Sequence, residues 1–134
     1  MNKLVTSSTA IALFLVAGCA ASGPKLASSA EDIVGTWQTP ASSGRIQFNE
    51  DGTIIDASTE PSFTAEFRFE GTRFFVTLTN QGNSCILRGV ETGIYEIELL
   101  ENGNLKFTVI EDECATRVTY FTGALIEREF EPVP

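Results

Sequence analysis

Apolar and polar residues alternate along much of the chain after residue 33. The stretch SFTAEFRFE, residues 62–70, places its apolar residues on one side of an extended strand: Phe63, Ala65, Phe67 and Phe69. The stretches RFFVTLT, GIYEIELL and NLKFTVI repeat the pattern and align further apolar side chains: Phe74, Val76, Leu78, Tyr95, Ile97, Leu99, Leu105, Phe107 and Val109. Alternation with a period of two is typical of a half-buried β-strand. The pattern therefore predicts a series of strands, each with one apolar face.

Turn sequences separate these predicted strands. They are NEDGT at 49–53, EGTR at 70–73, NQGN at 80–83 and ENGN at 101–104. Asp-Gly and Asn-Gly supply the positive φ angles of tight hairpins, so neighbouring strands should pair antiparallel. No helical period is longer than one turn, although SSAEDIVG at 28–35 is compatible with a single turn before the first strand. The chain is therefore expected to be all-β, either an up-and-down barrel or a sandwich.

The charge of the chain and its lack of histidine exclude several functions. The 134 residues include 18 Asp and Glu, 9 Lys and Arg and no His, for a net charge of −9. Nucleic-acid binding requires clustered basic residues, so no nucleic-acid partner is expected. The absence of histidine removes the commonest general base and the commonest metal ligand. The acids are spread over alternating positions, as on the solvated outer face of a sheet.

The N-terminal segment has the features of a secretory signal. Lys3 precedes a stretch of apolar or small residues from Leu4 to Ala17, densest at IALFLVAG, which is shorter than the about 20 apolar residues that span a membrane. The tetrapeptide VAGC at 16–19 resembles the lipobox of bacterial lipoproteins. The resemblance implies cleavage before Cys19, lipid attachment to its sulfur and a membrane-anchored protein on the extracytoplasmic side. Ala20 after that cysteine resembles the default signal for an outer membrane, if the organism has one.

This interpretation divides the chain into three parts. Residues 1–18 are predicted to be the signal peptide. Residues 19–32, rich in Ala, Ser and Gly, are predicted to be the lipidated cysteine and a flexible tether. Residues 33–134 are predicted to be a single domain, because about one hundred residues suffice for one small core.

The two remaining cysteines form a candidate disulfide. Cys85 and Cys114 would lie outside the cytoplasm, where an even number of cysteines indicates a disulfide. A redox or metal-binding thiol pair is the alternative, but the sequence has neither a Cys-x-x-Cys motif nor a histidine. A structural disulfide is therefore expected.

Several short motifs resemble those of the lipocalin and fatty-acid-binding barrels, together called calycins. Gly35 and Trp37 match a Gly-x-Trp motif at the start of the first strand, and the tract IEDECATR resembles an Asp-x-Cys-x-x-Arg signature of small bacterial lipocalin-like lipoproteins. FNEDGT at 48–53 and GIY at 93–95 extend the likeness. The resemblance implies one antiparallel barrel of about eight strands. It also implies that a basic residue packs across Trp37, for which Arg117 is preferred over Arg128.

The resemblance also implies a barrel interior, which is either open or filled. The predicted inward residues are Phe48, Phe63, Phe67, Phe69, Phe74, Tyr95 and Phe107. An eight-stranded barrel has room for packed side chains or for one small ligand. Aromatic residues on a regular strand face belong more often to a core than to a pocket. Both alternatives stay open at this point.

Other candidate chemistry is sparse. NEDG has the spacing of a hairpin rather than that of a calcium loop, and Asp112 is expected to accept backbone hydrogen bonds or to pair with Arg117. No phosphate loop or nucleophile motif occurs, and no carboxylate is marked as a sheltered acid. The sequence therefore predicts a protein that is not an enzyme and that uses no cofactor or metal.

Two functions are compatible with these features. The first is a lipid-anchored barrel that binds a small hydrophobic molecule. The alternative is an envelope protein-interaction or protease-inhibitor-like module whose barrel core is filled. Both depend on analogy with a fold, which by itself does not determine function.

Overall fold

Eight antiparallel strands form a closed barrel. A computed structural model describes residues 23–38, 44–56, 63–80, 83–123 and 128–134, so the expected signal peptide and Cys19 lie outside the described residues. The strands are β1 (Gly35–Gln38), β2 (Arg45–Phe48), β3 (Thr53–Asp56), β4 (Phe63–Glu70), β5 (Arg73–Leu78), β6 (Thr92–Leu99), β7 (Leu105–Glu111) and β8 (Glu129–Pro132). Each strand pairs with the next, and β8 pairs with β1. The prediction of an all-β, up-and-down barrel is confirmed.

The alternating pattern determines which side chains face the interior. In β5, Phe74, Val76 and Leu78 are buried while Phe75 and Thr77 between them are partly exposed. Val109 departs from the pattern, because its expected inward side chain is 38% exposed. A register shift between Ile94 and Tyr95 interrupts the β6–β7 pairing at this level. β8 pairs only with Leu105 and Lys106 of β7, so it does not cover Val109.

One end of the barrel consists of short connections, and we call it the hairpin end. It comprises the turns at 49–52, 71–72 and 100–104 together with a 3-10 helix at Ala30–Asp32. The turns coincide with three of the predicted hairpin sequences, and the helix with the predicted single turn. Gly52 has a φ of +83°, and a Cβ there would lie 2.9 Å from the carbonyl oxygen of Phe67. A side chain is therefore excluded at this turn.

The opposite end, which we call the helix end, differs from the prediction. Its described residues are 79–80 and 83–91, which include helix α1 (Ser84–Leu87), and 112–123 with Arg128, which include helix α2 (Ala115–Thr122). The expected tight turn at 80–83 is not a direct hairpin, because α1 lies between β5 and β6. The expectation that no helix exceeds one turn is also wrong.

Helix α2 has a sequence that resembles a strand. ATRVTYFT is rich in β-branched and aromatic residues, which generally favour strands. The buried residues of this helix are Arg117 and Phe121, spaced four apart as on one helical face. The helix is therefore stabilised by the tertiary contacts of these two side chains and not by its local propensity.

The folded unit begins before the expected boundary at residue 33. The Ala27 amide donates to the Ile97 carbonyl at 2.8 Å, and the Leu99 amide donates to the Lys25 carbonyl at 2.8 Å. Ala27 and Ile33 are fully buried. Residues 25–27 therefore extend the β6 side of the sheet, so this part of the expected tether belongs to the folded unit.

Candidate functional site

The helix end gathers the polar groups of the barrel and is the candidate functional site. A disulfide joins Cys85 in α1 to Cys114, the residue before α2, with their Cα atoms 5.6 Å apart. Both cysteines are buried. The predicted pairing is confirmed, and it ties the two helical connections of this end together.

A buried ion pair joins two residues on either side of Cys114 in the sequence, Asp112 and Arg117. The Arg117 Nε and Nη2 atoms each donate to one oxygen of Asp112, both at 2.6 Å. Nη1 donates to the carbonyl of Glu91 at 2.6 Å, and Nη2 also donates to the carbonyl of Val90 at 3.1 Å. The two charged side chains are 1% and 0% exposed. A buried pair requires such additional hydrogen bonds to offset its loss of hydration.

Asp112 connects this pair to the barrel interior. It accepts a hydrogen bond from the Cys114 amide at 2.7 Å and another from the hydroxyl of Tyr95. Both roles expected for Asp112, backbone acceptor and partner of Arg117, are confirmed. Burial, together with the neighbouring carboxylate of Asp112, raises the pKa of Tyr95 far above its usual value. The phenol is therefore held neutral as a donor.

The glycine of the GIY motif at 93–95 packs directly against the ion pair. A Cβ at Gly93 would lie 2.9 Å from Arg117 Nε and would overlap the Asp112 carboxylate. The glycine thus leaves room for the ion pair against β6. GIY at 93–95 and the Asp-x-Cys-x-x-Arg tract, which are separate in the sequence, form one buried network in the structure.

A second acidic group lies at the same end. Asp56, the last residue of β3, is 2% exposed, and its carboxylate accepts a hydrogen bond from the Tyr120 hydroxyl at 2.9 Å. Burial and the charge of Asp56 raise the pKa of Tyr120 far above its usual value. The carbonyl of Tyr120 accepts from Arg128 at 2.9 Å. This network fastens the second half of α2 to the barrel wall.

A small cleft separates α2 from the strand ends. Its volume is ≈ 220 Å³, and its lining is Asp56, Leu78, Asn83, Cys114, Thr116, Arg117 and Tyr120. Sites for drug-sized ligands generally measure about 300–1,000 Å³. The polar atoms of Arg117 already have protein partners. The cleft is therefore small and partly occupied by internal hydrogen bonds.

A larger groove lies beside it. It measures ≈ 370 Å³ and is lined by Gly89, Val90, Glu91, Thr92, Ile94, Glu111, Asp112 and Glu113. Glu91, Glu111 and Glu113 are exposed, whereas Asp112 is neutralised by Arg117. The surface of the groove is therefore negative.

The barrel interior contains a continuous set of aromatic rings. Phe107 stacks on Phe121 of α2 with ring centroids 4.9 Å apart, and Tyr95 approaches Phe121 at 5.2 Å. The rings in mutual contact are Phe48, Phe67, Phe69, Phe74, Tyr95, Phe107, Tyr120, Phe121 and Phe130. Phe69 and Tyr120 are partly buried and the others are buried. Phe63 is placed in β4.

Phe121 and Phe130 were not among the predicted inward residues. Phe130 lies in the short strand β8, where four residues give little alternation to detect. Phe121 lies in α2, and its spacing of four residues from Arg117 is the sequence feature that could have indicated a buried helical face. Asp56 and Tyr120 were missed as well, since neither belongs to a recognisable motif.

Trp37 and Arg117 occupy different ends of the barrel. Trp37 is 8% exposed, and its indole Nε1 donates to the carbonyl of Ile33 at 2.8 Å, beside the 3-10 helix. Gly35 begins the same strand, with a φ of +136°. Arg117 has its partners at the helix end. The expectation that Arg117 packs across Trp37 is thus wrong. Trp37 closes the hairpin end, and Arg117 belongs to the network that closes the helix end.

Comparisons with known proteins add no further assignment. Among the described residues, no helix is long and apolar enough to cross a membrane. No group of three or more His, Cys, Asp or Glu side chains is arranged to hold a metal ion within the described ranges. Searches of protein families, curated proteins and solved structures found no match to this chain.

Proposed function

We propose that this protein is a lipid-anchored, extracytoplasmic interaction module whose filled barrel presents its helix end to another protein. The observation that supports it is the aromatic interior. Phe121 from α2 enters the barrel and packs on Phe107 and Tyr95, so α2 acts as a plug rather than as a hinged cover. An apolar ligand would have to displace these rings. The carrier function expected from the resemblance is therefore less well supported than the interaction function.

The attachments of α2 favour the same function. The helix is held by the disulfide at Cys114, by Arg117 on Asp112 and by Tyr120 on Asp56. Interface surfaces that change little on binding avoid the cost of ordering side chains and loops. A helix fixed at three points gives such a rigid surface. The exposed glutamates of the neighbouring groove mean that a partner docking there has to offer basic groups.

The membrane anchor rests on the lipobox-like VAGC and on the apolar segment before it. Intact mass measurement of protein purified from bacterial membranes should show lipid on Cys19. The Cys19→Ser variant should lack that mass and should stay uncleaved or leave the membrane. Lipid found on the Cys19→Ser variant would contradict the anchor.

The interior is tested with an environment-sensitive apolar dye and native mass spectrometry. We expect wild-type protein to carry no small molecule and to leave the dye dark. Phe121→Ala should open a cavity among the remaining rings and take up the dye, since engineered apolar cavities bind small apolar molecules. Thr119→Ala, an exposed change on the same helix, is the matched control. A small molecule retained by the wild type and lost on unfolding would instead support the carrier function.

The interaction itself is tested by site-specific photo-crosslinking in intact cells. A photoreactive residue at Leu87, which is 78% exposed at the helix end, should give a discrete protein adduct. The same residue at Asn102, in the hairpin-end turn, should not. Equal adducts at both positions, or none at Leu87, would contradict a partner at the helix end.

A further inference from the structure

The path of the N-terminal segment determines how the barrel stands on a lipid surface. Lys25 lies opposite Leu99, the last residue of β6 before the turn at 100–104, which belongs to the hairpin end. The segment runs antiparallel to β6 through the bridge between Leu26 and Glu98. Traced backwards from Lys25, the chain therefore leaves the barrel at the hairpin end.

The docked segment shortens the available spacer. If Cys19 carries the lipid, only residues 20–24 lie between it and Lys25. Six residue steps, fully extended, reach about 20 Å. A tether that was free as far as residue 33 would reach about 50 Å by the same rule. The shorter spacer keeps the hairpin end close to the bilayer and limits the orientations that the barrel can adopt relative to the membrane.

We propose that residues 25–27 form a strap that orients the barrel, with its hairpin end facing the lipid surface and its helix end facing away. This inference rests on the anchor at Cys19 in the proposed function. It adds a direction of approach, because a partner of the helix end has to come from the side opposite the membrane. The occupant of the hairpin-end face is the bilayer that holds the protein's own lipid.

Surface charge shows that the strap, rather than adhesion, has to maintain this orientation. The turns and the 3-10 helix of the hairpin end carry Glu31, Asp32, Glu50, Asp51 and Glu101, and only Lys25 and Arg73 beside them are basic, so acidic groups outnumber basic ones on this face. Such a face is repelled by anionic lipids within a Debye length, about 8 Å at physiological ionic strength. Anionic lipid should therefore move the hairpin end away from the surface, within the limit set by the spacer.

The orientation is measured with a dye attached at one of two positions in the full-length gene product. An azide-bearing residue at Asn102 marks the hairpin end, and one at Leu87 marks the helix end, so the native cysteines stay untouched. Protein purified from membranes is placed in phosphatidylcholine vesicles containing a short-range headgroup quencher. We expect the dye at Asn102 to be quenched several-fold more strongly than the dye at Leu87. Adding phosphatidylglycerol should reduce the quenching at Asn102.

Two variants separate the strap from other causes. A long Gly/Ser insertion between Gly23 and Pro24 should bring the quenching at both dyes close together while the barrel stays folded. Ala27→Asp, which places a charge at a fully buried position, should undock the strap. It should also abolish the hydrogen-exchange protection of the Leu99 amide, which donates to Lys25. If Ala27→Asp unfolds the barrel, the insertion variant decides.

The possible failures are distinguishable. A purified product with no lipid on Cys19 would overturn the anchor and this orientation together. Lipidated protein whose two dyes are quenched equally, or whose helix end is quenched more strongly, would overturn the orientation alone. Stronger quenching at Asn102 in anionic vesicles would show surface adhesion and would contradict the strap as the cause.

Discussion

The hairpin end and the helix end of this barrel are held together by different kinds of interaction. At the hairpin end, short turns join adjacent strands, and Thr53 bonds to Asp51 two residues away. At the helix end, a disulfide joins residues 29 apart in sequence, and Tyr120 bonds to Asp56 64 residues away. The turns of the hairpin end are thus specified locally. The helix end depends on contacts that form only once the barrel has closed.

This difference separates scaffold from candidate surface. Local turns tolerate change at modest cost, whereas a buried charge network fails when one member is lost. The helix end concentrates such groups around α2, where they maintain a rigid external surface. We therefore expect the largest effects of substitution at the helix end and in the core, and the smallest at hairpin-turn positions with open space, such as Gly71 and unlike Gly52.

The largest effect should come from Arg117. Arg117→Met leaves the Asp112 carboxylate buried without its cation, which should lower the free energy of unfolding by about 3–5 kcal/mol. Urea unfolding followed by far-ultraviolet circular dichroism measures this loss. Adding Asp112→Asn should recover part of it, because no uncompensated charge remains. Arg68→Met, whose side chain is 58% exposed in a surface pair with Glu70, should cost less than about 1 kcal/mol.

Trp37 tests the core at the hairpin end. Trp37→Ala removes a buried ring and should lower the free energy of unfolding by about 3–5 kcal/mol. Trp37→Phe should cost less, because it keeps most of the buried ring and loses mainly the hydrogen bond to the Ile33 carbonyl. A loss below about 1 kcal/mol for Trp37→Ala would show that the indole does not close this end.

The disulfide should act on the helix end selectively. Cys85→Ala with Cys114→Ala should lower stability by about 3–4 kcal/mol, from the loop entropy that the bond removes from the unfolded chain. Hydrogen exchange should accelerate at the Val118 and Gly123 amides of α2. Exchange at the Leu100 amide of the hairpin end should accelerate no more than the loss of global stability requires. Uniform acceleration would contradict a division between the two ends.

The two tyrosines give a pH test of the helix end. They are the only tyrosines of the chain, and burial raises both pKa values above the ordinary 10.0. Above pH 10 the unfolded chain loses these protons while the folded chain keeps them, so stability is complete below pH 10 and falls as the pH rises. Absorbance at 295 nm should stay flat through pH 10 and then rise together with unfolding. Gradual ionisation near pH 10 in folded protein would show that the two phenols are not held by Asp112 and Asp56.

The smallest effect is expected in a hairpin turn. Gly71 has a φ of +61° and open space around a Cβ. Gly71→Ala should therefore cost only the left-handed strain of about 1 kcal/mol. Thermal unfolding compared with Arg117→Met measures the contrast, and similar losses in the two variants would contradict it.

The sequence by itself determined the long strands β4 to β7, three of the four hairpin turns and the cysteine pair, and it offered the pairing of Asp112 with Arg117 as one of two roles. These features depend on alternation, on turn chemistry and on groups a few residues apart or covalently paired, which a linear reading detects. It failed for α2, since Val118 and Tyr120 alternate with Thr119 as in a strand. It also failed for the residues at 25–27, whose Ala and Leu side chains have no pattern to mark a docked strand.

Only the tertiary structure decided which end each closure serves and what occupies the interior. Barrel closure places Trp37 by the 3-10 helix and Arg117 by the disulfide, although both belong to motifs of one resemblance. Phe121 reaches Phe107 and Tyr95 because the covalent bond at Cys114 and the bonds of Arg117 set the position of α2. Contacts between residues far apart in the chain depend on the closed fold, and no local pattern specifies them.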